Sequence, residues 1–422
     1  MKSSSTISLL LIANAISGIS QGITMLAVPW YFTGIINQEG LFGDIYFVVT
    51  LVSLFWGVYS GTLIDRYNRK SIFLIMNIAG LFILGGVSAY GYFYQELPWL
   101  LAGIPFAATA FIYNLHFPNL YAFAQEITPK KDYVRVTSLL EIQGQISFTF
   151  AGGLAAILLQ GLDGSGFHFL GFSFLENFKF KPVEIWTIFG INSFTYLVAF
   201  AIIYNIKSFT KVKKGHEAAS LKKQLEIGFS FLHKNPLLLR FGVVSLLLFL
   251  TVIVFGTQLS PMYVKLFLER GGDAFAISDM TFSIGALLAG VFTARIFKQD
   301  QNISSLIALN AIAGFMYLAM IATKLTILFY MANFIIGFCN AGVRIQRITY
   351  IFHHVPNEVI GRAGSVFFVV NILMRLMLIG LFALPFFHTP TTILYPIILL
   401  AVICVSASMF LLKDYKKLIE VK

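Results

Sequence analysis

Arg375 is a charged residue inside a long apolar stretch of the sequence, VVNILMRLMLIG. A full charge in such a stretch is energetically costly, so it indicates a function or a specific partner. One interpretation is that Arg375 binds an anionic group of a ligand. The alternative is a structural ion pair, for which the sequence offers Asp279 and Asp44 as partners. Both interpretations stay open at the level of the sequence.

Glu141, Asp279 and His116 also lie in apolar stretches and are candidates for carrying protons. An imidazole titrates near neutral pH, and neighbouring groups can hold a carboxyl group in either protonation state. Each has a structural alternative. Glu141 could pair with Arg344, Asp279 could pair with Arg375, and His116 could be a hydrogen-bonded packing residue.

Motifs for covalent or metal chemistry are missing from the sequence. It contains no nucleotide-binding loop, no HExxH motif and no convincing nucleophile–base set. Cys339 and Cys404 lie in apolar runs and indicate small buried side chains rather than a disulfide or a metal site. We therefore expect no catalytic residue, no cofactor, no metal and no ATP hydrolysis on this chain.

The composition is that of a protein embedded in lipid. Of 422 residues, 58% are hydrophobic and only 12% are charged, with a mean hydropathy of +0.81. Apolar runs of about 20 residues predict spanning helices, whereas barrel strands alternate over about 10. The net charge of +11 could indicate a nucleic-acid partner. Basic cytoplasmic loops explain it better, so we expect a lipid bilayer and no nucleic acid.

Twelve apolar segments are long enough to cross a bilayer, and the longer ones predict tilted or protruding helices. The first begins near Thr6 and is too long for the core of a signal peptide, so we expect a retained helix. The predicted spans are 6–36, 43–65, 71–94, 98–124, 133–161, 184–206, 236–267, 273–297, 302–322, 325–351, 358–385 and 390–412.

Basic residues distinguish the two sides of the predicted membrane. With the N-terminus inside, 24 of the 30 Lys and Arg fall on the cytoplasmic side and five in outer loops. The positive-inside rule therefore predicts that both termini are cytoplasmic.

The longest inner connection, 207–235, separates two groups of six spans. Its apolar residues alternate with lysines in a pattern typical of a basic helix at the membrane surface. The sequence thus predicts an N-terminal six-helix bundle, 1–206, a basic cytoplasmic linker, and a C-terminal six-helix bundle, 236–422.

The two halves of the sequence resemble each other. Residues 61–70, GTLIDRYNRK, align with residues 290–299, GVFTARIFKQ, except that Asp65 is matched by Ala294. Six spans preserve orientation, so such repeats are parallel and related by an axis along the membrane normal. Further matches follow in the same order at nearly one offset: Pro29 with Pro261, Asn114 with Asn340, and Arg135 with Arg362.

The segment 61–70 resembles the signature G-x-x-x-D-R-x-G-R-K between helices two and three of the major facilitator superfamily. Asn68 replaces the usual second glycine, a substitution compatible with a left-handed backbone. Twelve spans in two parallel six-helix repeats also resemble that superfamily. The resemblance implies an all-α membrane fold in which this segment is a conformational gate motif. The matching residues are Gly61, Asp65, Arg66, Arg69 and Lys70.

In the superfamily, the acid that matches Asp65 faces the start of helix eleven. Here that helix starts near Asn357, whose side chain suits an N-cap. A carboxylate at a helix N-terminus is stabilising, so the contact would favour a closed inner gate. The repeat-related contact would pair Ala294 with a corner that is already acidic, near Asp132. We hypothesise that one acidic latch suffices.

The resemblance implies a substrate site near the membrane midplane, on spans one, four, seven and ten. Polar residues of these spans outline a candidate cavity, although Asn and Gln also join helices by hydrogen bonds. The substrate or coupling candidates are Arg375, Glu141, Asp279, Asn114, His116, Asn340 and Arg344. The other polar residues of these spans are Asn14, Gln21, Asn119, Gln258, Asn333 and Gln346.

The corner sequences PKKDYVRVTS and PNEVIGRAGS resemble those of bacterial efflux proteins related to macrolide and siderophore exporters. Span four lacks the arginine of the R-x-x-Q-G pattern found in many drug antiporters, which argues against a mechanism of that type. The expected function is a monomeric secondary transporter of the inner membrane. It would export an amphipathic, drug-like molecule by alternating access with proton coupling. The alternatives are export of a siderophore or other anionic metabolite and, from other classes, a membrane receptor or an intramembrane enzyme.

The outer loop 162–183 contains FHFLGFSF and FKFK. This alternation predicts a small β-hairpin or an interfacial flap. The loop could cover the outer opening as a lid, or it could anchor the protein at the membrane surface through its aromatic rings.

Overall fold

The computed structural model describes residues 3–128, 133–163, 167–169, 172–174, 179–206, 221–296 and 302–420. Within these residues, twelve helical stretches are long and apolar enough to cross a membrane, which confirms the predicted all-α fold of twelve spans. These stretches are Thr6–Ile35, Glu39–Gly57, Arg69–Tyr94, Trp99–Ile127, Ile142–Leu159, Ile185–Tyr204, Pro236–Leu266, Gly272–Thr293, Asn302–Ala322, Thr326–Ile351, Arg362–Phe382 and Leu394–Lys413.

The helices that form these spans and their connections are numbered in chain order. The described helices are α1 (Ser3–Trp30), α2 (Glu39–Arg66), α3 (Arg69–Tyr94), α4 (Trp99–Ile127), α5 (Tyr133–Gln160), α6 (Ile185–Tyr204), α7 (Leu221–Lys234), α8 (Pro236–Val244), α9 (Leu247–Val254), α10 (Ser260–Leu266), α11 (Gly272–Ile296), α12 (Asn302–Ala322), α13 (Thr326–His354), α14 (Asn357–Phe382), α15 (Leu394–Lys413) and α16 (Tyr415–Glu420).

The first and seventh spans are not uniform α-helices. Tyr31–Ile35 continues α1 as a π-helical segment, and Phe255–Leu259 forms a second one between α9 and α10. Such segments hold an extra residue within a helical turn and are frequent at functional sites. The second segment carries Gln258, one of the polar residues singled out by the sequence, and buries it.

The chain forms two compact units. The first comprises Met1–Asn37, Phe55–His216 and Arg270–Met280. The second comprises Gln38–Leu54, Glu217–Glu269 and Thr281–Lys422. Helices α2 and α11 therefore contribute one part to each unit. The division into bundles 1–206 and 236–422 stays a prediction from the sequence repeat.

In the first unit, two glycines set the distance between α1 and α5. Gly18 and Gly22 lie one helical turn apart, opposite Ser147 and Ala151. A Cβ atom at Gly22 would lie 2.5 Å from the Cβ atom of Ala151. Small residues at this spacing let membrane helices approach closely. The signal, G-x-x-x-G, is present in the sequence but was not used in predicting the fold.

In the second unit, a reciprocal pair of glycines joins α11 to α13. A Cβ atom at Gly285 would lie 1.9 Å from the backbone oxygen of Phe334, and one at Gly337 would lie 2.1 Å from that of Phe282. The two backbones therefore touch directly. No residue with a side chain fits at either position without separating the helices.

The predicted linker helix is present as α7, and it packs against α14 in the second unit. The contact is close because Gly228 faces the backbone of Arg362, whose oxygen would lie 2.3 Å from a Cβ atom at that glycine. Phe229, the next residue, is exposed. The position of α7 at a membrane surface stays a prediction.

Short strands occur in the loop 162–183, as its alternation predicts. β1 (Leu162–Asp163) pairs antiparallel with β4 (Lys179–Phe180). β2 (Phe167–Phe169) pairs antiparallel with β3 (Phe172–Phe174), with Phe167 opposite Phe174. The hairpin prediction is confirmed, whereas the lid and anchor roles stay predictions.

Candidate functional site

A chain of hydrogen bonds joins three helices of the first unit. His116 Nε2 on α4 lies 2.8 Å from Asn14 Oδ1 on α1. The Asn14 amide donates to Gln143 Oε1 on α5. Gln143 Nε2 then donates to Ser147 Oγ at 2.8 Å. We call these four side chains the His116 network. The structure therefore brings together two polar residues singled out by the sequence, Asn14 and His116, with two that were missed.

The geometry determines which atoms donate and which accept along this series of hydrogen bonds. Because the Asn14 amide nitrogen donates to Gln143, its carbonyl oxygen must accept from His116, so Nε2 of the imidazole carries a hydrogen. The His116 ring also lies edge-on to Phe73, with ring centroids 5.2 Å apart. The hydrogen-bonded packing interpretation of His116 is confirmed, and proton carriage stays a prediction. Linked hydrogen bonds of this kind strengthen one another in a medium of low dielectric constant.

Asp279 lies on the part of α11 that belongs to the first unit. Its Oδ2 atom would lie 3.6 Å from a Cβ atom at Gly152 of α5, so the carboxyl group faces a helix surface without a side chain. Within the first unit, no described hydrogen bond or ion pair involves Asp279. It therefore remains a candidate proton carrier.

Arg375 lies on α14 in the second unit. Its Nε atom is buried and has no hydrogen-bond partner among the described residues. The suggested ion pair with Asp44 is absent, because Asp44 is exposed and none of the described ion pairs of this unit contains Arg375. A pair with Asp279 would join the two units and stays a prediction.

The start of α3 corrects the expectation for Asn68. This residue has φ −64° and ψ 124°, an extended rather than left-handed conformation. Its side chain accepts hydrogen bonds from the backbone nitrogens of Lys70 and Ser71 at 2.9 and 3.2 Å. Asn68 is thus a helix N-cap, a role for which asparagine is among the best residues.

Arg69 and Lys70 of the gate motif bind helix ends within the first unit. Arg69 Nη1 donates to the Ala122 carbonyl oxygen of α4 at 2.7 Å and lies 3.6 Å from a carboxylate oxygen of Glu126. Lys70 Nζ donates to the carbonyl oxygens of Tyr204 and Ile206, where α6 ends. A cation there satisfies free carbonyl groups and the negative end of the helix dipole. These contacts join α3 to α4 and α6.

Other residues of the gate and coupling predictions are only partly described. The backbones of Gly61, Asp65 and Arg66 form the end of α2, which stops at Arg66. The side chains of Asp65 and Arg66, and that of Glu141 on α5, lie outside the described part of the structure. α14 begins at Asn357, so its N-cap position is occupied by Pro356, which makes no side-chain hydrogen bond. The prediction that Asn357 occupies the N-cap position is therefore wrong.

Further polar candidates lie on α4 and α13. Asn119 is fully buried and donates to the Arg69 carbonyl oxygen at 2.9 Å. Asn333 donates to Phe329 of its own helix. On α13, Arg344 is exposed and Asn340 is half-buried. Asn114, on α4, is also half-buried.

Twelve candidate spans among the described residues, with polar side chains buried inside them, define a multi-pass membrane protein. Residues 10–378 match the family described as Major Facilitator Superfamily. The match covers most of the chain, so the protein belongs to this superfamily. No curated protein sequence matches it.

Three solved structures with a similar fold are distant from this chain in sequence. A point mutant of the nucleoside transporter NupG has a TM-score of 0.71 and 15% identity, covering 97% of this chain and 100% of that one. The D-xylose–proton symporter has a TM-score of 0.67 and 12% identity, with coverages of 96% and 97%. A bacterial homolog of the human lysosomal transporter Spinster has a TM-score of 0.66 and 13% identity, with coverages of 99% and 98%.

At these identities the likeness establishes the fold. Membership of the superfamily indicates a transporter. The resemblance to macrolide and siderophore exporters is not confirmed by these comparisons and stays a prediction.

Proposed function

We propose that the protein is a secondary active transporter that exports an amphipathic, drug-like molecule from the cytoplasm by alternating access, in exchange for protons. The observation that carries the proposal is Asp279, an acid within a membrane span that has no described partner in its own unit. Acidic side chains inside spans mark proton relays in transporters. Glu141 is the second candidate for this role.

The environment of the His116 network supports an amphipathic cargo. The His116 network lies beside the rings of Phe73 and Phe117. The centroids of these rings are 5.2 and 5.4 Å from the centroid of the imidazole. A site that combines a few polar groups with aromatic walls suits a molecule with one polar and one apolar part. The direction, outward from the cytoplasm, rests on the resemblance of the corner sequences to those of efflux proteins.

A siderophore or another anionic metabolite is the second candidate cargo. The Nε atom of Arg375 favours it, because this buried donor has no hydrogen-bond partner among the described residues and a guanidinium suits an anionic group. This cargo is compatible with the same transport mechanism.

The test uses the full chain reconstituted in vesicles with an imposed pH gradient. Ethidium serves as an amphipathic cation and carboxyfluorescein as an amphipathic anion. We expect at least one dye to move against its concentration gradient only while the pH gradient lasts. Asp279→Asn is expected to lose most of the pH-driven flux but to retain exchange of dye across the membrane at equal pH. Glu96→Gln, which neutralises an exposed acid in the loop between α3 and α4, is the matched control.

Two outcomes contradict the proposal. If neither dye shows flux that depends on the pH gradient, the proposed proton-driven export is wrong. If Asp279→Asn transports as well as Glu96→Gln, Asp279 does not couple protons to transport.

A further inference from the structure

Three polar side chains, each with a buried polar atom, lie along one face of α14. Asn371 and Arg375 lie four residues apart on this helix, so their side chains are neighbours about 6 Å apart along the axis. One further turn along, the carbonyl oxygen of Ile379 accepts a hydrogen bond of 3.2 Å from Gln258 Nε2. We call Asn371, Arg375 and Gln258 the α14 polar row.

Each member of the α14 polar row has a buried atom without a hydrogen-bond partner among the described residues. These atoms are Asn371 Nδ2, Arg375 Nε and Gln258 Oε1. Asn371 and Gln258 are only 7% and 1% exposed. Buried polar groups are nearly always hydrogen-bonded, so three unpartnered ones in a row require an explanation. Two are donors on adjacent turns, and the third is an acceptor.

The backbone around the α14 polar row is built to hold Gln258 in place. Gln258 projects from the π-helical segment Phe255–Leu259. Its Nε2 atom would lie 3.1 Å from a Cβ atom at Gly43 of α2, and the Cβ atom of Ala383 would lie 2.8 Å from the same position. No larger side chain fits at Gly43, so α2 closes the row at its Gln258 end. All of these residues belong to the second unit.

We infer that the α14 polar row binds a substrate that carries an anionic group with at least two oxygens, such as a carboxylate or a sulfonate. The Arg375 guanidinium and Asn371 Nδ2 donate to those oxygens, because arginine presents its donors in a fork that matches such groups. Gln258 Oε1 accepts a hydrogen bond from a hydroxyl or amine of the same molecule, about 6 Å further along the helix. The inference rests on the proposed transport function and specifies its cargo.

The test is a thermal-shift measurement on the purified full chain in detergent, with four probes that share one aromatic body. The probes are 2-naphthoate, naphthalene-2-sulfonate, 2-naphthamide and 2-naphthylmethylammonium. A ligand that binds only the folded state raises its melting temperature. We expect the two anions to stabilise the wild type and the amide and the ammonium ion to have no effect. Stabilisation by the amide equal to that by naphthoate, or none by either anion, overturns the inference.

Variants identify the residues responsible. Arg375→Gln is expected to weaken anion binding about 10- to 100-fold, the loss that follows when a charged hydrogen-bond donor is removed. Arg375→Lys should retain part of the affinity. Arg270→Gln, which removes an exposed arginine in the loop before α11, is the control and should bind as the wild type does. Unchanged anion binding by Arg375→Gln overturns the inference.

A second variant keeps the test decisive if Arg375→Gln does not fold. Asn371→Asp supplies a carboxylate one turn from Arg375, and the resulting ion pair occupies the guanidinium without any ligand. We expect this variant to fold and to lose its response to both anions, while a retained response contradicts the assignment. Flux of ethidium in vesicles separates the two proposals. If ethidium is transported but no anion binds, the cargo inference falls and the transport function stands.

Discussion

The contact between α1 and α5 provides a quantitative test of how the His116 network is held. In Gly22→Ala, the new Cβ atom would lie 2.5 Å from Ala151 Cβ, whereas ordinary contact begins at 3.4 Å. The Ala151 methyl group is fixed to its backbone and cannot rotate away. The two helices must therefore separate by about 0.9 Å, the difference between these distances. Such a shift also strains the hydrogen bond from Asn14 to Gln143.

Two energies of opposite sign act in this variant. Alanine is favoured over glycine in a helix interior by about 1 kcal/mol, and overpacking costs about 1–3 kcal/mol. Gly144→Ala on α5 carries only the helix-propensity gain, because a Cβ atom there meets nothing within 4 Å. The difference between the two variants therefore isolates the overpacking cost. We therefore expect Gly22→Ala to be less stable than Gly144→Ala by about 1–3 kcal/mol.

The assay is the melting temperature of the detergent-purified protein. For a unit of 150–250 residues, 1 kcal/mol corresponds to about 2–4 °C, so the two variants should differ by about 2–12 °C. Adding Ala151→Gly to Gly22→Ala removes the clashing methyl group and should restore most of the difference, as expected for residues in direct contact. Equal melting temperatures for the two single variants, or no rescue in the double variant, would refute the close α1–α5 contact.

Three further predictions concern the gate, proton coupling and the second unit. Asp65→Asn should shift the population towards the inward-open state by about 0.3–1 kcal/mol, measured with spin labels at the inner ends of α2 and α14, while Ala294→Asp should not favour the closed gate. Unchanged label distances with normal flux would exclude the latch. Glu141→Gln should weaken pH-driven flux more than substrate binding, and equal loss of both would remove it from the coupling role. Gly285→Ala should lower the melting temperature more than Gly290→Ala on the same helix. A Cβ atom at Gly285 would lie 1.9 Å from a backbone oxygen, whereas one at Gly290 meets nothing within 4 Å. Equal melting temperatures would contradict the α11–α13 contact.

The spans could be predicted because a bilayer imposes a length on every helix that crosses it. α5 was expected at 133–161 and runs from Tyr133 to Gln160, and α3 was expected at 71–94 and ends at Tyr94. The strands β2 and β3 were predicted because the two-residue alternation of FHFLGFSF is incompatible with one face of a helix. In each case the signal is local, so the sequence contains it in full.

The gate motif shows where a local signal is incomplete. The sequence identified Arg69 and Lys70 by their spacing, but their acceptors are carbonyl groups of α4 and α6 that lie more than fifty residues away in the chain. Asn68 was expected to replace a left-handed glycine. Its conformation instead follows from the start of α3, where its side chain caps two backbone nitrogens.

The candidate sites depended most on tertiary structure. The sequence by itself determined that polar and charged groups lie inside apolar spans, because their positions along the chain decide whether they meet lipid or water. It named Asn14, His116, Gln258 and Arg375, but not Gln143 or Asn371. Only the packing of helices decided which of them meet. Amide side chains bind one another as readily as they bind water or backbone. Their partners are selected by helix rotation and glycine contacts, which are properties of the assembled units.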